Sequence, residues 1–267
     1  MSSKGNTASI GFAIHAALHE GWCPRALVEM LKRGADPNDK DGWVHGNAGL
    51  HMAAQDGHVE VVKVLLDHGA EVDVTNDHGQ TPLHRAAACG HAQTAEELLA
   101  RGAQVKDNSE SFHKTTVLQC DNCPFQIEKL DGCEGNAPLH LAAAIGHLDV
   151  LKTLLDNGAD IEAKMAERSG GATAILVAAA TGHLAIVKEL LNRGADRNAT
   201  AFGTSTALSV STLRGFHEVV QTLKTFGPPP PPKPRQMPIN PETKTALDAH
   251  FQDLIKRGLI VKKTDKR

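Results

Sequence analysis

Fifteen histidines and five cysteines are the residues of this chain best suited to chemistry, and their spacing raises two separate questions. The first concerns the segment KDNSESFHKTTVLQCDNCPFQIEKLDGCEG at 106–135, which holds His113, Cys120, Cys123 and Cys133. A Cys-x2-Cys pair on a turn supplies two corners of a tetrahedral zinc site, and the other two residues lie close in sequence. Thr115–Gln119 and Phe125–Lys129 are β-prone, and Asp121-Asn122 suits a tight turn between the cysteines. So short a segment has little core of its own, and a metal would replace one. The alternative is a flexible or partner-ordered loop with ordinary thiols, because the glycine common after such a knuckle is absent. A redox pair at Cys120 and Cys123 is disfavoured, since no βαβ pattern surrounds them.

The second question concerns TPLHRAAACGHAQTAEELLARGA at 81–103, where His84 and His91 stand seven residues apart and Cys89 lies between them. Across the chain four histidines share the first slot (His15, His51, His84 and His140), and four share the second (His58, His91, His147 and His183). A catalytic group need not recur in this way. A structural one does, because every copy has the same backbone groups to satisfy. No Ser/His/Asp arrangement, HExxH or Gly-rich phosphate loop is present, so the sequence reads as a non-enzyme.

The recurrence has a period. Gly21, Gly57, Gly90, Gly146, Gly182 and Gly215 are separated by 36, 33, 56, 36 and 33 residues, and Gly34, Gly69, Gly102, Gly158, Gly194 and Gly227 follow them in step. A unit of about 33 residues with insertions marks a stacked array. In the third unit Thr81 caps a helix that Pro82 starts, Leu83, Ala86 and Ala87 form its apolar stripe, and Gly90 breaks it. A second helix carries Ala95, Leu98 and Leu99, and Gly102 ends it in the left-handed region. Aromatics are 3% of the chain, so the apolar mass is Ala, Leu and Val, which suits thin helices packed closely.

These residues resemble the ankyrin repeat, with its Thr-Pro-Leu-His-x-Ala-Ala-x-x-Gly-His core followed by an amphipathic helix ending in Gly-Ala-Asp. The second unit reads NAGLHMAAQDGHVEVVKVLLDHGAEVD and the fourth NAPLHLAAAIGHLDVLKTLLDNGADIE. The fifth has Leu176 in place of the first histidine, the sixth lacks both, and the first is also degenerate, as terminal units burying one face are expected to be. The resemblance spans roughly residues 8–227. It implies an all-α fold with short β-hairpin loops, a slightly curved solenoid of six helix-turn-helix units with an insertion at about 106–133, and a role in binding other proteins.

In the family the two residues before each Gly-His step face a concave groove. Here these are His19 and Glu20, Gln55 and Asp56, Ala88 and Cys89, Ala144 and Ile145, Ala180 and Thr181, and Leu213 and Arg214. That order predicts a groove that is acidic at its N-terminal end and apolar in the middle, a strip that usually has a partner unless the insertion covers it. The hairpin tips add Trp43, His45, His78, Met165 and Phe202. An exposed tryptophan at a tip is a hot-spot candidate, although Trp43 can equally pack on its own hairpin.

Composition changes after Gly227. Residues 228–239 read as a polyproline II linker, with PPPPPKPRQMP reaching roughly 34 Å. Its P-x-x-P beside Lys233 and Arg235 also fits an SH3-like partner, with a plain spacer the favoured reading. Residues 240–267 hold an expected amphipathic helix with the stripe Leu247, Phe251, Leu254 and Ile255, ready to dock on a partner or fold back. The net charge of −3 and the lack of an arginine-rich stripe argue against nucleic acid. No run of apolar residues is long enough for membrane insertion, and the start MSSKGNTASIGF lacks a secretory core. An odd number of cysteines fits a reducing compartment, cytoplasmic or nuclear. Apart from the possible zinc, no cofactor is expected.

Overall fold

Short helices ended by left-handed glycines build this chain. The computed structural model describes residues 24–40, 46–105, 137–165 and 170–227. Among these residues a lone helix, α1 (Pro24–Lys32), precedes five helix pairs. They are α2 (Gly49–Gln55) with α3 (Val59–Asp67), α4 (Pro82–Cys89) with α5 (Ala92–Ala100), α6 (Pro138–Ile145) with α7 (Leu148–Asp156), α8 (Ala174–Thr181) with α9 (Leu184–Asn192), and α10 (Ala207–Leu213) with α11 (His217–Thr225). The mostly helical repeat stack expected from the sequence is therefore observed.

Local chemistry explains where each helix ends. Pro82 and Pro138 open α4 and α6 at a position whose N–H has no intrahelical partner anyway. Gly90, Gly146 and Gly182 close α4, α6 and α8 at φ of +82°, +100° and +82°, a region costly to residues with a Cβ. After each, the next residue (His91, His147 or His183) is the N-cap of the second helix of the pair.

Packing then follows from side-chain size. The first helices contact one another in series from α2 to α10, and the second helices do so from α1 to α11. Leu50, Leu83, Leu139 and Ile175 occupy one buried slot on successive first helices, and Leu65, Leu98, Leu154 and Leu190 occupy one on successive second helices. Alanine pairs (Ala53 and Ala54, Ala86 and Ala87, Ala142 and Ala143, Ala178 and Ala179) are fully buried, and their small methyls let neighbouring helices approach closely.

The hairpin loops are mostly irregular. Among the described residues one two-stranded sheet forms, β1 (Thr200–Ala201) antiparallel to β2 (Ser205–Thr206), plus a single bridge between Lys40 and Ala48. Met165 corrects an expectation. It is not an exposed tip but lies in a small core with Ala172, Leu176, Val177 and Ala201, its N–H donating to Ala172 O at 2.9 Å. The fifth repeat folds its own loop inward onto this apolar cluster.

Candidate protein-docking surface

The recurring histidines hold the loops. His51 Nε2 donates to Gln80 O at 2.8 Å, and His140 Nε2 to Ala163 O at 3.0 Å, each reaching the loop that leads to the next repeat. A carbonyl only accepts, so Nε2 carries the proton. In His51 this leaves Nδ1 to accept from Ala48 N–H at 3.1 Å. His84 Nδ1 likewise accepts from Thr81 N–H at 3.2 Å, with the Thr81 hydroxyl at 2.8 Å. Burial pushes His51 down from 6.5 to about 4, so it stays neutral.

The second histidine row links repeats. His147 Nε2 donates to Ala88 O at 3.1 Å and His183 Nε2 to Ala144 O at 3.0 Å, each bond running back to the preceding repeat. Each ring lies over the preceding repeat's glycine: a Cβ on Gly90 would come within 2.6 Å of the His147 ring, and one on Gly146 within 2.7 Å of the His183 ring. Burial lowers the His147 pKa as well, against the smaller upward pull of its bond to the Ala88 carbonyl. These two side chains serve the scaffold.

The variable pairs before each glycine are more open. Asp56 is exposed, and Gln55, Cys89, Ala144, Ile145, Ala180 and Thr181 are half-buried. Thr181 turns its hydroxyl onto its own helix, donating to Val177 O at 3.0 Å, so it shows mainly its methyl outward. Leu213 and Arg214 are exposed, Leu213 at 88%. Ala88 departs from the expectation, because its side chain is fully buried. Neighbouring repeats pack on both sides of its helix, whereas Leu213 in the same slot has no described repeat after it; Ala144, whose carbonyl takes the same bond from His183, stays half-buried. The surface of that pair is Cys89 alone.

At the tips, Phe202 is 71% exposed and has a φ of +49°, rare for a non-glycine residue. Its N–H donates to Gly170 O at 2.9 Å, and its ring covers Gly170 so closely that a Cβ there would come within 2.5 Å. His78 is half-buried, its N–H donating to Asn76 Oδ1 at 3.0 Å. His19, Glu20, Trp43 and His45 lie outside the described residues. So do the zinc candidates His113, Cys120, Cys123 and Cys133, and the tail stripe Leu247, Phe251, Leu254 and Ile255. Among the described residues no group of three His, Cys, Asp or Glu is arranged to hold a metal ion. None of their helices is long and apolar enough to cross a membrane.

A family profile described as ankyrin repeats (3 copies) matches residues 13–109, and one described as ankyrin repeat matches 134–166 and 170–201. The chain belongs to the ankyrin repeat family. Ankyrin repeats are protein-interaction modules and typically non-enzymatic. Over 147 residues the chain is 31% identical to a transient receptor potential cation channel subfamily A member 1 homolog of Caenorhabditis elegans, covering 52% of this chain and 9% of that protein. Over 162 residues it is 27% identical to a putative palmitoyltransferase ZDHHC13 of Danio rerio, covering 61% of this chain and 21% of that protein. The match therefore spans a small part of either relative.

One ankyrin-repeat residue escaped the sequence reading. Arg85, in the slot just after the repeat histidine, is 5% exposed. Comparing that slot across repeats would have found it, because Met52, Leu141, Val177 and Val210 fill it elsewhere.

Proposed function

We propose that this chain is a non-enzymatic adaptor that recruits a protein partner along the row Gln55, Asp56, Cys89, Ala144, Ile145, Ala180, Thr181, Leu213 and Arg214. Phe202 and the other hairpin tips extend the contact. The observation that carries the reading is the openness of this row beside the scaffold: His51, His84, His140, His147 and His183 bond backbone groups, and the residues of the row remain partly or fully accessible. Leu213 and Phe202 are large apolar groups left in water, as interaction surfaces often leave them. The Pro-rich linker and the stripe Leu247, Phe251, Leu254 and Ile255 act as a second docking element. The chain works in a reducing compartment, cytoplasm or nucleus, and needs neither nucleic acid nor membrane insertion.

Proximity labelling in cells with the intact chain, an Ile145→Asp chain and a chain lacking 228–267 tests this. Ile145→Asp is expected to remove one set of partners and the deletion another. Recovery of the same partners from all three chains would sink the proposal.

A further inference from the structure

The junction of the second and third repeats contains a guanidinium whose buried Nε has no acceptor among the described residues. Arg85 lies on α4 on the side away from Leu83, Ala86 and Ala87, one turn before Cys89. It is 5% exposed, and among the described residues no acceptor meets its Nε. Asp67 and Glu97, acids of the adjoining second helices, pair with Arg101 instead. A buried N–H without an acceptor is destabilising, and this one stands in a slot filled by Met52, Leu141 and Val177 in neighbouring repeats, each of them buried. Packing would be satisfied by the same kind of residue here. The junction also holds Asn47, whose buried Nδ2 lacks an acceptor while its Oδ1 accepts from Asn76. Both unmet groups are donors, so the missing chemistry is an acceptor.

We propose that Arg85 is a carboxylate-binding residue of the inner face, stowed between repeats in the free chain and paired with an Asp or Glu side chain of the bound protein partner. This deepens the docking surface proposed above and rests on it. The planar guanidinium matches a carboxylate with two parallel hydrogen bonds. A single cation one turn from Cys89, with the half-buried Ala144 and Ile145 on the next repeat, suits one acidic residue flanked by apolar ones. A polyphosphate or nucleic acid needs several cations, and this chain has a net charge of −3. The pairing turns an unfavourable burial in the free protein into a favourable one in the complex, which is differential binding of the kind that sets specificity.

Random peptides displayed on phage, selected against the full chain and then synthesised, test the proposal. Selected peptides are expected to share an Asp or Glu beside apolar residues. Arg85→Met should weaken them about ten-fold or more, as should amidation of that acid by Asp→Asn or Glu→Gln, with little further loss when the two changes are combined. Arg85→Met should also raise the midpoint of thermal unfolding, so lost binding is not lost folding. Peptides that lose affinity with Ile145→Asp but bind Arg85→Met normally would overturn the Arg85 proposal and leave the docking surface standing. Peptides indifferent to both changes, or no selected peptides at all, would overturn both.

Discussion

In the fourth repeat His147 lies over Gly90 of the third and donates to Ala88 O; in the sixth, Phe216 lies over Gly182 of the fifth and donates nothing. The two contacts share one shape, a flat ring pressed on a left-handed glycine that cannot carry a Cβ. A Cβ on Gly182 would come within 2.7 Å of Phe216, the same distance as one on Gly146 from His183. The first helices differ in the same way. His51 in the second repeat accepts from the amide that precedes its helix, whereas the sixth repeat does this with Thr206 and Ser209, Thr206 N–H donating to Ser209 Oγ at 2.9 Å. Geometry is held constant from one end of the stack to the other, while the hydrogen-bonding groups that maintain it are exchanged. The end of the stack can therefore lose its histidines and still fold as a repeat.

The largest contrast between middle and end should be in the core. Leu154, on α7 between two flanking pairs, is fully buried, and Leu154→Ala is expected to cost about 3–5 kcal/mol in urea unfolding. Leu223 on α11 is 4% exposed but packs against a neighbour on one side only among the described residues, so Leu223→Ala should cost about 2 kcal/mol. Equal costs would mean that the last repeat is as well supported as a central one, and the contrast would fail.

Acid should separate the repeats next. His51 is neutral in the fold down to about 4, while the unfolded side chain takes its proton near 6.5. Its contribution is intact above pH 6.5, declines as the pH falls, and is lost near pH 4, where up to about 3 kcal/mol is gone. Unfolding free energies measured from pH 7 to pH 4 should fall more steeply for the native chain than for His51→Gln. Leu176 holds the equivalent slot of the fifth repeat, where no such titration exists. Parallel pH profiles for the two proteins would remove the His51 assignment.

Glycine substitutions isolate the ring contact itself. Gly146 has a φ of +100° and faces the His183 ring; Gly158 has a φ of +87° and meets nothing within 4 Å. Alanine at either position carries a left-handed penalty of about 1–2 kcal/mol. Gly146→Ala should cost about 1–2 kcal/mol beyond Gly158→Ala, because the ring must also move. Matching losses would show that the rings accommodate a methyl freely.

These contrasts also show what the sequence makes legible. Pro82, Gly90 and the alternating Leu and Ala positions obey local rules, so helix order and the stacked architecture follow from the chain alone. The histidines recur because the same backbone groups recur, which is why His51 and His147 read as scaffold before any contact is known. Ala88 and Met165 depart from their motif for one shared reason: their burial is decided by the packing of neighbouring segments, a long-range fact that the local motif does not encode. Arg85 does not stand out in the pairs before each glycine, because its slot sits one turn earlier on the same face. The departure that carries information there is a polar residue at a position its own repeats keep apolar.

The smallest expected effect tests the exchange of chemistry most directly. Phe216→His installs at the end of the stack the group that the fourth and fifth repeats use. Its ring would lie on Gly182 as His183 lies on Gly146, with Nε2 placed to donate to Ala180 O as His183 donates to Ala144 O. One added hydrogen bond is worth about 1 kcal/mol. The smaller, more polar ring gives back a similar amount of apolar burial, since Phe216 packs half-buried against the core. Stability should therefore stay within about 1 kcal/mol of the native chain at pH 8. A loss of several kcal/mol at pH 8 would show that the sixth repeat depends on its phenyl ring, and that ring shape alone does not define the contact.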